Sequence, residues 1–187
     1  MNKSLYDIFS HWYRGGNIWL YSDPHFGDEE MQYIRKDYIG DDEQVTRINK
    51  KVGKLDTIIF LGDIGDTECI KKIRGYKVLI MGNHDKGATT YKNVFDEVYE
   101  GPLMINDKIM LSHEPLSLPP CFFNIHGHDH SGQTILPNHL NVCAEWIYYT
   151  PISLISLLKM GAFSKVDNVH RITIDKATEK KQNNSKI

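Results

Sequence analysis

Short uninterrupted apolar runs alternate along the first half of the chain with segments whose apolar residues recur every three or four positions. Ile18, Trp19, Leu20 and Tyr21 form the first run, and it predicts a buried strand from Asn17 to Ser22. In the polar stretch that follows, Asp28, Glu29 and Glu30 read as a solvated helix start. Val45, Ile48, Val52 and Leu55 then trace one face of an amphipathic helix from Asp41 to Leu55, capped by Asp41 or Asp42. Thr57 to Leu61 is the next strand and ends at Gly62-Asp63. A short helix from Thr67 to Ile73 leads to a strand from Lys77 to Met81, which ends at Gly82-Asn83. This rhythm implies parallel strands joined by right-handed crossovers.

The second half changes character. Leu103 to Ile105 and Lys108 to Leu111 flank Asn106-Asp107, the pattern of a hairpin with a two-residue turn. Phe122 to Ile125, His139 to Ala144 and Val169 to Ile174 are further strand candidates. Pro151 to Met160 reads as a helix ended by Gly161. From Asp175 the composition turns to Lys, Gln, Asn and Ser, so one domain over residues 1–175 and a flexible tail over 176–187 are expected.

Bulk composition narrows the class. The chain has 187 residues, 41% hydrophobic and 25% charged, enough for a sizeable core in one domain. A net charge of -2 gives no basic footprint of the kind a duplex-binding protein usually shows. No run reaches the roughly 18 apolar residues of a membrane span, and the first residues lack a signal-peptide profile. Cys69, Cys121 and Cys143 are odd in number and widely spaced, the pattern of free thiols in a reducing compartment. A cytoplasmic protein without a membrane partner is expected, and the oligomeric state is not legible.

The chemistry lies where the apolar runs stop. Ser22-Asp23-Pro24-His25, Gly62-Asp63, Gly82-Asn83-His84-Asp85, Ser112-His113 and Gly127-His128-Asp129-His130 each follow such a run. They supply oxygen and nitrogen donors and no thiolate, enough for two adjacent divalent metals, which is the chemistry of phosphate ester hydrolysis. In open α/β sheets, loops leaving the carboxyl ends of strands converge on one crevice, so donors remote in sequence meet there. Asp23-x-His25 and His128-x-His130 on extended backbone each aim two side chains to one side. The glycines before Asp63, Asn83 and His128 allow unusual turns.

These five segments, in order and rough spacing, resemble the motifs of the calcineurin-like metallophosphoesterases, over residues 17 to 130 with weaker similarity through Pro151-Ile152-Ser153-Leu154. The chain looks most like the compact, cap-less bacterial and phage branch. The resemblance implies a four-layer α/β/β/α sandwich with mixed sheets. It implies that Asp23, His25 and His130 bind one metal, that Asn83, His113 and His128 bind the second, and that Asp63 bridges them at about 3.5 to 4 Å. A hydroxide between the metals would attack phosphorus in line. His84 matches the family's non-ligand histidine, which protonates the leaving oxygen or stabilises phosphoryl charge, and Asp85 would orient its imidazole. Mixed carboxylate, imidazole and amide donors suit Mn²⁺, with Fe, Co, Ni or Zn as alternatives.

Other residues read more plainly. Asp66 is a helix cap, with contact to the site as the alternative. His126 is a packing or supporting residue; His11, His139 and His170 are structural or surface residues; Cys143 is a buried structural thiol. Trp12, Trp19 and Trp146 are core candidates. Glu114 follows His113 where relatives carry an aromatic or small residue, and Glu145 stands where relatives carry an aspartate. A hydrolase of small, nucleotide-like phosphomonoesters or phosphodiesters is the favoured activity. A nuclease using Lys50, Lys51, Lys54, Lys71, Lys72 and Arg74 is the second reading, and a non-catalytic scaffold the third.

Overall fold

The computed structural model describes residues 5–164, apart from residue 36, and residue 166. The strand expected at Val169–Ile174, the tail over 176–187 and His170 lie outside the described residues.

The four buried residues of Thr57–Phe60 (β2) form the middle of a parallel sheet. Ile18–Tyr21 (β1) pairs with it on one side, Ile18 opposite Thr57, and Tyr76–Ile80 (β3) on the other. Glu97–Tyr99 (β4) extends the sheet beyond β3. That strand has no apolar run to announce it, and all three residues are half-buried, as suits a short edge strand. Between β1 and β2 the chain forms a one-turn helix, Met31–Ile34 (α1), and an amphipathic helix, Asp41–Lys51 (α2). Val45 and Ile48 of α2, with Val52 just after it, are buried in the core, each contributing about 1.5–3 kcal/mol.

Helix α2 ends a turn earlier than the spacing predicts. Val52 takes extended backbone, and the Asp56 carboxylate accepts from Gly53 N–H at 2.8 Å, from Asn17 N–H and from the Trp19 indole, so Leu55 is left 63% exposed. Neither Asp41 nor Asp42 caps the helix. Gly40 is its N-cap, and Asp41 accepts from Gly27 N–H and the Tyr38 hydroxyl instead. After β2, Asp66 caps Thr67–Lys71 (α3) by accepting from Glu68 N–H, as expected.

The second sheet has the order β5-β6-β7-β8, formed by Leu103–Met104, Ile109–Leu111, Phe123–His126 and His139–Asn141. Its last three strands are parallel; β5 and β6 form the expected hairpin. The loop is longer than two residues, because Ile105 pairs with Ile109 and the Asn106 side chain accepts from Lys108 and Ile109 N–H. Pro151 and the residues after it are not yet helical: Ile152–Ser153 (β9) pairs antiparallel with β1, and Leu154–Lys159 (α4) follows. Gly161, at φ 72°, ends α4 as predicted, with Ala162 N–H bonded to Leu157 O and Gly161 N–H to Leu158 O.

Two mixed sheets with flanking helices therefore share one hydrophobic core. They meet where β1 and β8 end: Ser22 N–H donates to Val142 O at 3.1 Å, and Ala144 N–H to Ser22 O at 2.9 Å. Trp12 is fully buried and Trp19 half-buried. Trp146, expected in the core, is 38% exposed, because the 3₁₀ turn Ala144–Ile147 turns Ala144 and Ile147 inward instead.

Candidate metal centre

Every donor predicted from the sequence leaves a strand end along the seam between the sheets. Asp23, His25 and His130 bring ligand atoms within 4.8 Å of one another, and so do Asp63, His113 and His128. Asn83 joins the second group: its Oδ1 lies 2.8 Å from His113 Nε2 and 3.0 Å from His128 Nδ1. Asp63 Oδ2 stands between the groups, 3.7 Å from His25 Nε2 and 3.5 Å from His113 Nε2, while its Oδ1 accepts from His84 N–H at 3.0 Å.

Asp23 is fully buried, and its two oxygens differ. Oδ2 accepts from the Ser22 hydroxyl, from His128 N–H at 2.9 Å and from Cys143 Sγ at 3.2 Å. Oδ1 has no hydrogen-bond partner; it faces His130 Nε2 at 3.5 Å and His25 Nε2 at 4.0 Å. His25 Nε2 is likewise buried without a partner. Orphaned lone pairs of a carboxylate and an imidazole aimed at one another are an expensive arrangement unless a cation completes them, so these residues fit a divalent metal. Burial first, and the Arg35 guanidinium next, push the His25 imidazole below its usual range, which favours the bare nitrogen a metal needs. His113 is set for the same task, since its Nδ1 bonds Leu61 O at 2.8 Å and leaves Nε2 facing Asn83 and Asp63.

The backbone at these positions is not extended. Asp23, His25, Asp63 and His128 all have left-handed φ values, 55°, 46°, 53° and 66°. The paired side chains converge through these turns rather than through strand alternation. Of the three glycines that precede predicted ligands, Gly62 needs its positive φ of 93°. Gly82 and Gly127 are there for space: a Cβ on Gly82 would fall on Asp63 Oδ1, and one on Gly127 on Ser22 Oγ and Asp23 Oδ2.

His84 contributes no atom to either donor group; its ring is exposed, 5.8 Å from the ring of His25. Asp85, read from the sequence as the partner of that ring, has its carboxylate bonded elsewhere. Oδ2 accepts from Asp63 N–H at 3.0 Å and Gly82 N–H at 2.8 Å; Oδ1 accepts from Ile64 N–H and the Tyr91 hydroxyl, both at 3.0 Å. One carboxylate thus ties the Asp63 turn to the Asn83 turn. The Tyr91 phenol, pushed up to about 12 chiefly by burial, stays protonated as a donor.

Cys143 is buried as expected, but its Sγ contacts a predicted ligand directly, donating to Asp23 Oδ2. Burial pushes its thiol far up, so it acts as a neutral donor rather than a thiolate. His126 is fully buried with Nδ1 at 2.8 Å from Gly127 O, and His139 is buried against Leu116 O; neither belongs to a donor group. The Glu114 side chain is exposed and outside both groups. Arg35, which the sequence reading passed over, is buried and donates to Asp23 O at 3.0 Å. It sits in a polar stretch with no periodicity, so only the fold reveals it.

A family model for calcineurin-like phosphoesterases matches residues 16–171. The chain belongs to that family. Members are hydrolases of phosphoester bonds that bind divalent metals, and the donor groups above, with a third formed by His130, Cys143 and Glu145, are this chain's candidate residues for them. The family's fold agrees with the two mixed sheets and helices described above. Among solved structures, the chain is similar to a protein of unknown function, AQ665 from Aquifex aeolicus, at 26% identity over 77% of this chain and 98% of that one, with TM-score 0.65. It is also similar to the nuclease MPE of Pseudomonas putida, at 20% identity over 64% of each chain with TM-score 0.46. Yfce, a phosphoesterase from E. coli, matches at 14% identity over 68% of this chain and 78% of that one, with TM-score 0.39. No curated protein matches the sequence. Among the described residues no helix is long and apolar enough to cross a membrane.

Proposed function

We propose that this chain is a dinuclear metal phosphoesterase that hydrolyses small, nucleotide-like phosphomonoesters or phosphodiesters. Asp23, His25 and His130 would hold one divalent cation, Asn83, His113 and His128 the other, and Asp63 both. The observation that carries this reading is the position of Asp63 Oδ2 between the two donor groups. When bound, a metal pair supplies a water activated at neutral pH and Lewis acidity toward phosphoryl oxygens. Mn²⁺ is the assay metal of choice for this mixed oxygen and nitrogen donor set, with Fe, Co, Ni and Zn next.

The chain's own residues do the rest. Asp85 and the His84 N–H hold the Asp63 turn, so the central carboxylate keeps one oxygen fixed and presents the other. The exposed His84 ring, beside that of His25, would give a proton to the leaving oxygen or offset phosphoryl charge. The test is hydrolysis of an aryl phosphodiester with and without Mn²⁺, on wild type and Asp63→Asn. A metal-dependent wild-type rate that falls at least 10³-fold in the variant is expected. Equal rates would refute the reading. His84→Ala is expected to slow alkyl esters by about 10²-fold and nitrophenyl esters much less, since only poor leaving groups need the proton.

Polynucleotide cleavage finds less support. Lys50, Lys51, Lys54 and Arg74 lie where α2 ends and β2 and β3 begin, the opposite edge of the sheet from the donor loops, and Lys71 and Lys72 pair with Glu68 and Asp42. A phosphate backbone seated on that patch would run away from the metals, and its affinity would fall steeply with salt.

A further inference from the structure

His130 is the most exposed side chain of its donor group, 37% accessible against 0% for Asp23 and 13% for His25. A half-exposed imidazole on a loop has two ring flips and two tautomers open to it, and only one combination presents a bare nitrogen to Asp23. Its other nitrogen settles the choice. His130 Nδ1 lies 2.6 Å from Glu145 Oε1. Two atoms with bare lone pairs repel at that distance, so Nδ1 carries the proton and donates to the carboxylate. In the neutral ring Nε2 is then bare, 3.5 Å from Asp23 Oδ1.

Glu145 is itself held. Its Oε2 has no hydrogen-bond partner but lies 3.5 Å from Arg35 Nη1, and that same Nη1 donates to the carbonyl oxygen of Asp23 at 3.0 Å. Arg35 Nη2, 3.3 Å from His130 Nδ1, faces a protonated nitrogen and so acts there by bulk and charge rather than as a donor. One buried guanidinium therefore joins the strained Asp23 backbone to the carboxylate that aims His130. Arg35 reaches this point from the end of α1, and Glu145 from the 3₁₀ turn after β8.

We propose that Arg35 and Glu145 are positioning residues of the first metal position: Glu145 locks His130 with Nδ1 protonated and Nε2 free, and Arg35 holds Glu145 and Asp23 in register, so the position is assembled before a cation arrives. This rests on the metal centre proposed above. Carboxylates behind metal-binding histidines typically change affinity by 10- to 100-fold.

Two measurements test it on the full chain. The first is the tautomer of His130 in metal-free, ¹⁵N-histidine-labelled protein at pH 8, read from two-bond ¹H–¹⁵N correlations. Wild type is expected to show the Nδ1–H form, Glu145→Ala to revert toward the Nε2–H form that imidazole prefers in water, and Glu145→Gln to keep Nδ1–H, because its amide oxygen still accepts. The second is calorimetric titration with Mn²⁺. Glu145→Ala and Arg35→Met are expected to weaken one of two binding events about 10- to 100-fold and the other less than about threefold, with Glu145→Gln in between. Thermal unfolding checks that each variant is folded. The proposal is overturned if metal-free wild type already shows Nε2–H, or if Glu145→Ala weakens both events equally or neither. A wild type that takes up no Mn²⁺ would instead defeat the metal-centre reading, while the tautomer measurement still decides the role of Glu145.

Discussion

Asp23, His25, Asp63 and His128 hold left-handed backbone that costs a non-glycine residue about 1–2 kcal/mol apiece. Such strain persists only where surrounding bonds over-determine it. Asp23 N–H is bonded to Gly62 O and its carbonyl to Arg35; Asp63 N–H is bonded to Asp85. Asp85→Asn replaces an acceptor-only carboxylate by a group with two donors, facing three backbone N–H groups and a phenol. It is expected to destabilise the protein by about 2–3 kcal/mol in denaturant titration and to lower activity at least tenfold through the displaced Asp63 turn. Tyr91→Phe removes one of those four donors and should cost less than about 1.5 kcal/mol. Gly127→Ala drives a methyl into Ser22 and Asp23 and should abolish the first metal event, whereas Gly87→Ala meets open space at an ordinary φ and should be neutral or stabilising by up to about 1 kcal/mol.

At the scale of elements, the N-terminal 3₁₀ segment Asp7–Trp12 is tied to the edge strand β4 through Glu97. That carboxylate accepts from the His11 ring at 2.6 Å, the Trp12 indole at 3.0 Å and the Tyr99 hydroxyl at 2.5 Å. Burial opposes its charge, but these donors outweigh burial and hold its carboxyl below the usual 4.5. A depressed folded value means stability present above the unfolded value and lost as pH falls through the folded one. Glu97→Gln should therefore lie below wild type in melting temperature at pH 7, by an amount equivalent to about 1–2 kcal/mol, and the gap should close as pH is lowered from about 4.5 toward 3. A gap that stays constant over that range would show that the charge is not what secures the segment.

Periodicity predicted β1, β2, β3 and α2 because each buries a continuous run or one regular face, a property local to the sequence. It failed at β4, a half-exposed three-residue edge, and at Pro151–Ser153, where pairing with β1 overrides a helical pattern. It also failed at Trp146, whose exposure depends on how a single 3₁₀ turn is rotated.

At the scale of the molecule, the two sheets are bound to each other at the point where the proposed metals would sit, so metal binding should report on global stability. Mn²⁺ at about 100 times its dissociation constant is expected to add about 2.7 kcal/mol for each site it fills, a melting shift of about 5–10 °C per site for a chain of this size. Chelator should reverse the shift, and Asp63→Asn should show little of it.

The donors themselves were legible in the chain: an aspartate, asparagine or histidine after an apolar run is a chemical type at a strand end, and both properties are local. Tertiary structure decided which lone pairs those donors turn toward one another, which glycines serve turns and which serve space, and what Asp85 holds. It also supplied Arg35 and Cys143, which reach His130 and Asp23 from 95 and 120 positions away. The Cys143 contact exists because β1 and β8 end side by side, and the Arg35 contact because the end of α1 meets the loop after β7. A residue's type is written in the sequence, but the direction of its lone pairs is set by neighbours that only the closed fold brings within reach.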